Sequence, residues 1–208
     1  MICCADIALV QWFATLGGPE AAAPSDEAEV LRLVEAARRG DKEAWRGLYQ
    51  GHVRPVFRAV RSLVRGEDEA EDVVQEAFVR AFAGLARYRP REGARFVSWL
   101  STIALNVARR RARWWRRAVP EAEATEIDRQ SHEPDPGEAL DLARRKAALL
   151  AALGELPARE REIISLRYGA ELTAREVGAA AGLGEANVRK ICERVRSKLL
   201  VRLEGSMK

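Results

Sequence analysis

The side chains best equipped for chemistry in this sequence are arginines, and they are concentrated in two places. Six arginines lie in RRRARWWRR, from Arg109 to Arg117, beside Trp114 and Trp115. A second basic group lies near the C-terminus, in NVRKICERVRSK. Guanidinium groups pair with phosphates or with guanine, and aromatic rings stack on unpaired bases. The two groups indicate contact with nucleic acid; the alternative is two solvated helix faces, with the tryptophans covering the end of a helical bundle.

An acidic segment stands apart from these arginines. Six carboxylates fall within EDEAEDVVQE, from Glu67 to Glu76, although the whole chain is basic, with 35 Lys and Arg against 31 Asp and Glu. Apolar residues at i, i+3 and i+4 run through the same segment, which predicts one buried helix face and one acidic face. We expect the acidic face to bind a basic or polar protein surface. Its polar positions are Asp68, Glu71, Asp72, Gln75 and Glu76.

Cysteine and histidine are too few to build a reactive centre. The cysteines are Cys3, Cys4 and Cys192 and the histidines are His52 and His132, and none has the spacing of a zinc site or of a Cys–His nucleophile pair. Three cysteines do not form a framework of paired disulfides, which fits a reducing cytoplasm. We therefore predict no metal, no cofactor, no small-molecule substrate and no enzymatic activity.

Helical periodicity without long β-branched runs predicts an all-α protein of two small domains. The periodicity covers residues 27–117, breaks over residues 118–141 and returns over residues 142–208. The break contains three prolines and eight acids, so we interpret it as a flexible acidic linker. In the first domain we predict a four-helix bundle, in which Asp41 caps the second helix and the fourth begins near Arg95, after a loop at Arg87–Ala94.

Residues 1–26 precede the first predicted helix. The first sixteen are apolar, but they lack a basic leader, carry Asp6 and are too short to span a bilayer, so we predict no export signal. Three interpretations stay open: a tail that docks on a domain, a sticky amphipathic segment, or extra residues from a start codon assigned too far upstream.

The strongest local pattern lies in TAREVGAAAGLGEANVRKICERVRSKLL. Thr173 and Glu176 form a capping box, T-x-x-E, which predicts a helix start. This helix runs to about Ala181, and Gly182 then supplies a positive φ. A second helix follows Gly184, with Val188, Ile191, Cys192, Val195 and Leu199 on its apolar side. The spacing is that of a helix-turn-helix, the alternative being an ordinary helical hairpin.

Taken in order, three segments resemble the extracytoplasmic-function sigma factors. They are DEAEDVVQEAFVRAF, FVSWLSTIALN, and LPARERE followed by ISLRYGAELTAREVGAAAGLGEANVRKICERVRSKL. The resemblance covers roughly Leu31 to Leu203 apart from the linker. It implies a domain like sigma region 2 over residues 27–117, a domain like sigma region 4 over residues 142–208, and a subunit that directs RNA polymerase to promoters.

The resemblance also implies a role for each charged group. The acidic face would dock on the clamp helices of the polymerase β′ subunit. The loop and the arginine helix would capture and melt the −10 element, through Arg87, Tyr88, Arg89, Arg91, Asn106, Arg109, Arg110 and Arg113. The second helix of the helix-turn-helix would read the −35 element, through Asn187, Arg189, Lys190, Glu193, Arg194 and Arg196.

Since the family is usually silenced by a membrane-linked anti-sigma factor, such a partner is expected here. It would hold a cytoplasmic protein at the inner face of the membrane.

Two positions depart from the family pattern. Ile191 stands where a basic residue is common, and Arg109–Arg111 replace a stretch that usually includes an acidic residue. Glu193 is either a cytosine reader or a repulsive filter against wrong registers. The alternative function is a stand-alone regulator, with its helix-turn-helix on an operator and a bundle that senses a ligand or dimerises. A third hypothesis is a helical adaptor or enzyme fragment.

Overall fold

The computed structural model describes residues 4–16, 26–118 and 138–205, and all regular secondary structure in these ranges is helical. We call the first group of helices the N-terminal bundle: α2 (Glu27–Arg38), α3 (Lys42–Arg61), α4 (Glu67–Gly84) and α5 (Phe96–Ala118). We call the second group the C-terminal domain: α6 (Glu138–Gly154), α7 (Ala158–Ile164), α8 (Ala174–Ala181) and α9 (Glu185–Gly205). A further helix, α1 (Cys4–Ala14), precedes both. The all-α prediction is confirmed.

Two helices of the N-terminal bundle, α2 and α3, begin where the sequence supplies a capping side chain. Asp26 accepts a hydrogen bond from the backbone N–H of Ala28, and Asp41 accepts bonds from the first turn of α3. These bonds satisfy N–H groups that a helix start leaves without a partner. The apolar faces of the four helices then meet in one core, which includes Leu48, Phe57, Val73, Phe78, Phe96 and Leu100.

Helix α5 lies between the two halves of the molecule. One side of it packs into the N-terminal bundle through Phe96, Leu100 and Val107. Another side carries Val97 and Leu105, which belong to the core of the C-terminal domain. The N-terminal bundle therefore leaves one apolar face of α5 uncovered, and the C-terminal domain packs on that face.

The helix-turn-helix in the C-terminal domain forms as its sequence predicts. Both halves of the capping box are present between Thr173 and Glu176, and Gly182 ends α8 in the left-handed conformation with φ 69°. Gly178 is needed for a close approach, because a Cβ at this position would lie 2.6 Å from the carbonyl oxygen of Leu183. Val188, Val195 and Leu199 of α9 are buried, Cys192 is 7% exposed, and Ile191 is half-buried against the same core.

The N-terminal segment packs on the C-terminal domain. Leu9, Phe13 and Leu16 are fully buried in its core, and the ring centroid of Phe13 lies 6.2 Å from that of Tyr168. Of the three interpretations of residues 1–26, this placement agrees with a tail that docks on a domain. Residues 1–3 and 17–25 lie outside the described ranges.

The predicted linker is shorter at one end than expected. Helix α6 begins at Glu138, so residues 138–141, which we assigned to the linker, are helical. At the other end α5 runs to Ala118, one residue beyond the predicted boundary of the first domain. Residues 119–137 lie outside the described ranges, so the linker itself stays a prediction.

Candidate nucleic-acid and protein interface

Three of the four side chains predicted on α5 share one exposed stripe. Asn106, Arg110 and Arg113 are exposed and are spaced i, i+4 and i+7, which places them on one helix face. Trp114 follows directly and is 55% exposed, while the side chain of Trp115 lies outside the described part of the chain. The stripe therefore offers an amide, two guanidinium groups and an aromatic ring at one end of the bundle.

Arg109 lies on a different face of α5 and is engaged within the protein. Its Nε and terminal nitrogen donate to the two carboxylate oxygens of Glu162 at 2.8 and 2.6 Å. This bond raises the pKa of the Arg109 guanidinium. Burial alone would raise the pKa of the Glu162 carboxyl, but Arg109 and Arg159 outweigh it and hold this pKa below its ordinary value. Arg109 is thus separated from the stripe with which we predicted it to act.

The loop before α5 presents cations, but its tyrosine is a structural residue. Arg87, Arg89 and Arg91 are exposed. Tyr88 is only 5% exposed, and its ring packs against Phe96 and Trp99 at centroid distances of 5.3 and 4.8 Å. Burial raises the pKa of the Tyr88 hydroxyl to about 12. The aromatic residues around Tyr88 cover its ring in this structure, so its predicted contact with DNA stays a prediction that requires the ring to leave this packing.

The acidic face of α4 adjoins the arginines of α5 and is not a separate surface. Asp68, Glu71, Asp72 and Gln75 are exposed and Glu76 is half-buried. Arg111 donates to Asp72 at 3.0 Å, and Arg110 pairs with Glu76. Sequence reasoning missed Arg111 and Arg80, the latter lying 2.7 Å from Glu76. Arg80 was visible as a base one turn beyond Glu76, whereas Arg111 lies 39 positions from Asp72 and had no local signal in the sequence.

The predicted −35 side chains lie together on α9. Asn187, Arg189, Lys190, Glu193 and Arg194 are exposed, and Arg196 is half-buried. Two of the arginines have acidic partners: Arg189 pairs with Glu185 one turn earlier, and Arg194 lies 2.5 Å from Glu160 on α7. The Arg189 pair is exposed and weak, so a phosphate or a base edge can replace Glu185. In the other pair Arg194 is exposed, but the Glu160 side chain is only 16% exposed.

Comparison with known proteins identifies both halves of the chain. The family described as Sigma-70 region 2 matches residues 48–118, and the family described as Sigma-70, region 4 matches residues 152–199. The ECF RNA polymerase sigma factor SigE of Mycolicibacterium smegmatis is 33% identical over 85% of this chain and 68% of its own length. The chain belongs to the extracytoplasmic-function sigma factors. Proteins of this family are regulatory subunits that direct transcription initiation at promoters.

Two further relatives extend this result. BldN, an ECF sigma factor of Streptomyces coelicolor, is 29% identical to this chain. The match covers 82% of this chain and 64% of the length of BldN. The solved structure of CnrH in complex with the cytosolic domain of CnrY has a TM-score of 0.60 and 29% sequence identity, covering 84% of this chain and 96% of CnrH. The sigma factor fold therefore extends over most of this chain.

Within the described ranges, His, Cys, Asp and Glu residues form no group of three that could hold a metal ion. In the same ranges, no helix combines the length and the apolar character needed to cross a membrane.

Proposed function

We propose that this sigma factor uses three surfaces in sequence: the acidic face of α4 for core RNA polymerase, the α5 stripe with the 87–93 loop for the −10 element, and α9 for the −35 element. The observation that carries the proposal is the exposure of two basic helix faces, one in each half of the molecule, beside one acidic face. Binding surfaces of this kind act without a bond-making residue, and we assign the protein no enzymatic activity and a place in the cytoplasm.

At the −10 element, the three kinds of group on α5 divide the work. Arg110 and Arg113 neutralise backbone phosphates, and Asn106 is placed to hydrogen-bond an unpaired base. Trp114 supplies a stacking face at the end of the stripe. Arg87, Arg89 and Arg91 extend the cationic surface along the loop, while Tyr88 fixes the position of the loop from beneath.

At the −35 element, α9 lies in the major groove. Arg189, Lys190 and Arg194 reach base edges or phosphates, and Arg189 does so once its acidic partner Glu185 is displaced. Arg196, nearer the flank of the helix, contacts the backbone. Glu193 repels phosphates, so it either accepts a hydrogen bond from cytosine or filters wrong registers.

Docking on the β′ clamp helices uses the part of the acidic face that is least engaged within the protein. Asp68 and Glu71 are exposed on α4, whereas Asp72 and Glu76 have arginine partners on α5. Reversing the charge of Asp72 or Glu76 would disturb α5 as well as docking. Asp68 and Glu71 therefore give the cleaner test.

We expect the double variant Asp68→Arg, Glu71→Arg to lose assembly with core polymerase, because it places two cations against a basic partner surface and costs several kcal/mol. Glu43→Arg is the matched control, since Glu43 is an exposed acid on α3, away from the acidic face. Assembly is measured by native gel shift with purified core enzyme, and helicity by circular dichroism. Unchanged assembly of the double variant would refute the docking assignment.

Promoter activity is tested by run-off transcription with core polymerase and a library of genomic fragments. We expect specific transcripts only when this protein is present, and Asn106→Ala to permit closed-complex binding but to impair permanganate-detected strand opening. A stand-alone regulator would instead bind its operator equally well without polymerase and would produce no transcripts.

An anti-sigma factor is a further proposed partner. CnrH was solved with the cytosolic domain of CnrY, which shows that a relative of this fold presents a protein-binding surface. A pull-down from the native cell should recover a dedicated inhibitor as well as polymerase. Recovery of polymerase alone would count against the inhibitor.

A further inference from the structure

The two arginine–carboxylate pairs on the exposed side of α9 differ in kind. Arg189 pairs with Glu185 of the same helix, and both side chains are exposed. A terminal nitrogen of Arg194 instead donates at 2.5 Å to Oε1 of Glu160, which lies 34 positions earlier on α7. The Arg194 side chain is 57% exposed, but that of Glu160 is only 16% exposed. Glu160 is therefore embedded in the C-terminal domain, while Arg194 extends over it towards solvent.

The Glu160 carboxylate depends on Arg194 for compensation of its charge. Its Oε2 atom is buried and has no hydrogen-bond partner among the described residues. A carboxylate that is mostly removed from water requires a cation or a hydrogen-bond donor, and Arg194 supplies both at Oε1. Breaking this pair would leave a poorly hydrated charge without its partner. The pair is therefore more persistent than the exposed pair of Arg189 with Glu185.

Helix α7 holds Glu160 in a fixed position relative to both helices of the helix-turn-helix. Arg159, the preceding residue, donates to the carbonyl oxygen of Ala181, the last residue of α8. The last carbonyls of a helix have no partner within the helix, so this bond holds the end of α8. Ile163 and Ile164 of α7 are fully buried in the core that α9 shares. The carboxylate is thus placed by packing and not by a mobile surface side chain.

This arrangement orients the Arg194 guanidinium before DNA arrives. Arginine carries five N–H donors in a planar fork, and the bond to Glu160 uses one of them. A free arginine side chain loses much rotamer freedom when it binds, whereas one already held on one edge loses less. The acceptors that a planar fork fits best on a base pair are O6 and N7 of guanine in the major groove. Arg194 is therefore better prepared for a base edge than Arg189.

The paired carboxylate also makes Arg194 a poor contact for phosphate. Attraction to the DNA backbone depends on net charge, and the net charge of the Arg194–Glu160 pair is zero. A hydrogen bond to a base edge depends on short distance and direction, which the pair preserves. Glu160 therefore weakens Arg194 as a phosphate contact and strengthens it as a contact to a base.

We propose that Glu160 is a positioning residue for −35 recognition, which holds Arg194 against a guanine of the −35 element and keeps it from the backbone phosphates. Glu160 itself does not touch DNA. This inference rests on the proposed function, because it requires α9 to lie in the major groove of the −35 element. Arg189, whose partner Glu185 is exposed, is the arginine that leaves its partner for a phosphate.

The test uses Glu160→Gln in the full chain, assembled with core polymerase. The probe is the promoter recovered by run-off transcription, with its −35 element randomised, and a promoter-free fragment of equal length. The amide keeps the size of the side chain and removes its charge. We expect discrimination at one base pair to fall roughly tenfold. Binding to the promoter-free fragment should tighten, and the slope of log K against log salt should steepen by about one unit, because a guanidinium becomes available to phosphate.

Glu155→Gln is the matched control. Glu155 also lies in the C-terminal domain and also pairs with an arginine of α9, Arg202, two turns beyond Arg194. The control therefore changes the net charge by the same amount, and it should leave the base preference unchanged. Circular dichroism of both variants measures helicity.

Variants of Arg194 test the proposal independently of how Glu160→Gln folds. Arg194→Ala should relax preference at the same base pair but leave the salt slope unchanged, because a base contact and not a phosphate contact is lost. Adding Glu160→Gln to Arg194→Ala should change that preference no further. Arg194→Lys keeps the charge without the fork, so it should also lose the preference.

The signs of these changes separate the outcomes. If Glu160→Gln tightens binding to every −35 sequence equally, or if Arg194→Ala lowers the salt slope by about one unit, Glu160 only competes with phosphate and the proposal is overturned. If Arg194→Ala relaxes the preference but Glu160→Gln does not, the positioning role fails while α9 still reads the −35 element. If all variants keep the wild-type preference, the assignment of α9 to the −35 element fails as well.

Discussion

Phe13→Ala tests whether the N-terminal helix is part of the folded protein. Phe13 lies on α1, and its side chain is fully buried against the C-terminal domain, in the same core as Leu9 and Leu16. Removing a buried phenylalanine ring costs about 3–5 kcal/mol when the surrounding core does not collapse into the space. Because the ring packs near Tyr168 in the middle of this core, we expect a loss in that range for the unfolding of the C-terminal domain. The same substitution in a tail that does not pack on the domain would change the free energy of unfolding by almost nothing.

Urea unfolding followed by circular dichroism measures this loss. With a urea dependence of about 2 kcal/mol per molar, the midpoint should fall by roughly 1.5–2.5 M. Gln11→Ala is the control, since Gln11 is exposed on the same helix, and its effect should stay within about 0.5 kcal/mol. If Phe13→Ala unfolds at the wild-type urea concentration, α1 does not stabilise the domain and the packing argument is wrong.

Three other predictions follow from buried groups. Burial lowers the pKa of the His52 imidazole below 6.5, so the unfolded chain takes up a proton that the folded bundle excludes. Stability should therefore fall as the pH drops below 6.5, and His52→Phe should flatten this dependence in urea titrations at several pH values. Gly178→Ala should lower the free energy of unfolding by about 1–3 kcal/mol, because its Cβ meets the Leu183 carbonyl. Gly184→Ala is the control and should cost little, because position 184 faces open space. Equal urea midpoints for the two variants would contradict this difference. Tyr88→Phe should preserve stability within about 1 kcal/mol, since the hydroxyl has no hydrogen-bond partner among the described residues. It should also leave strand opening unchanged. Loss of opening in permanganate footprinting would support a contact between the Tyr88 hydroxyl and DNA.

Elements with a local cause were predictable from the sequence. The start and end of α8 depend on Thr173, Glu176 and Gly182, and each acts through bonds or backbone angles within a few residues. The same holds for Asp41 at the start of α3. Charge clusters indicated which helices expose charged faces, because exposed guanidinium and carboxylate groups occur in runs. Tertiary packing has little influence on such local features, so the amino-acid sequence is sufficient to predict them.

The sequence was least informative about side chains whose surroundings come from distant parts of the chain. Tyr88 belongs to a loop, where a tyrosine is normally exposed, yet Phe96 and Trp99 cover its ring. Arg109 was grouped with its neighbours by sequence, but one residue along a helix rotates a side chain by about 100°. That rotation takes Arg109 off the exposed stripe and towards Glu162, a residue 53 positions away.

Helix α5 contributes to both cores, and part of this double burial was visible in the sequence. Val97, Ser101 and Leu105 recur at i+4 on a face other than that of Phe96, Leu100 and Val107, and all six are buried. A helix with two buried faces in a four-helix bundle needs a covering element besides the bundle. The covering element here is the C-terminal domain, and separating it exposes Val97 and Leu105 to water. Each such side chain costs about 1.5–3 kcal/mol when exposed, in addition to the broken ion pair between Arg109 and Glu162.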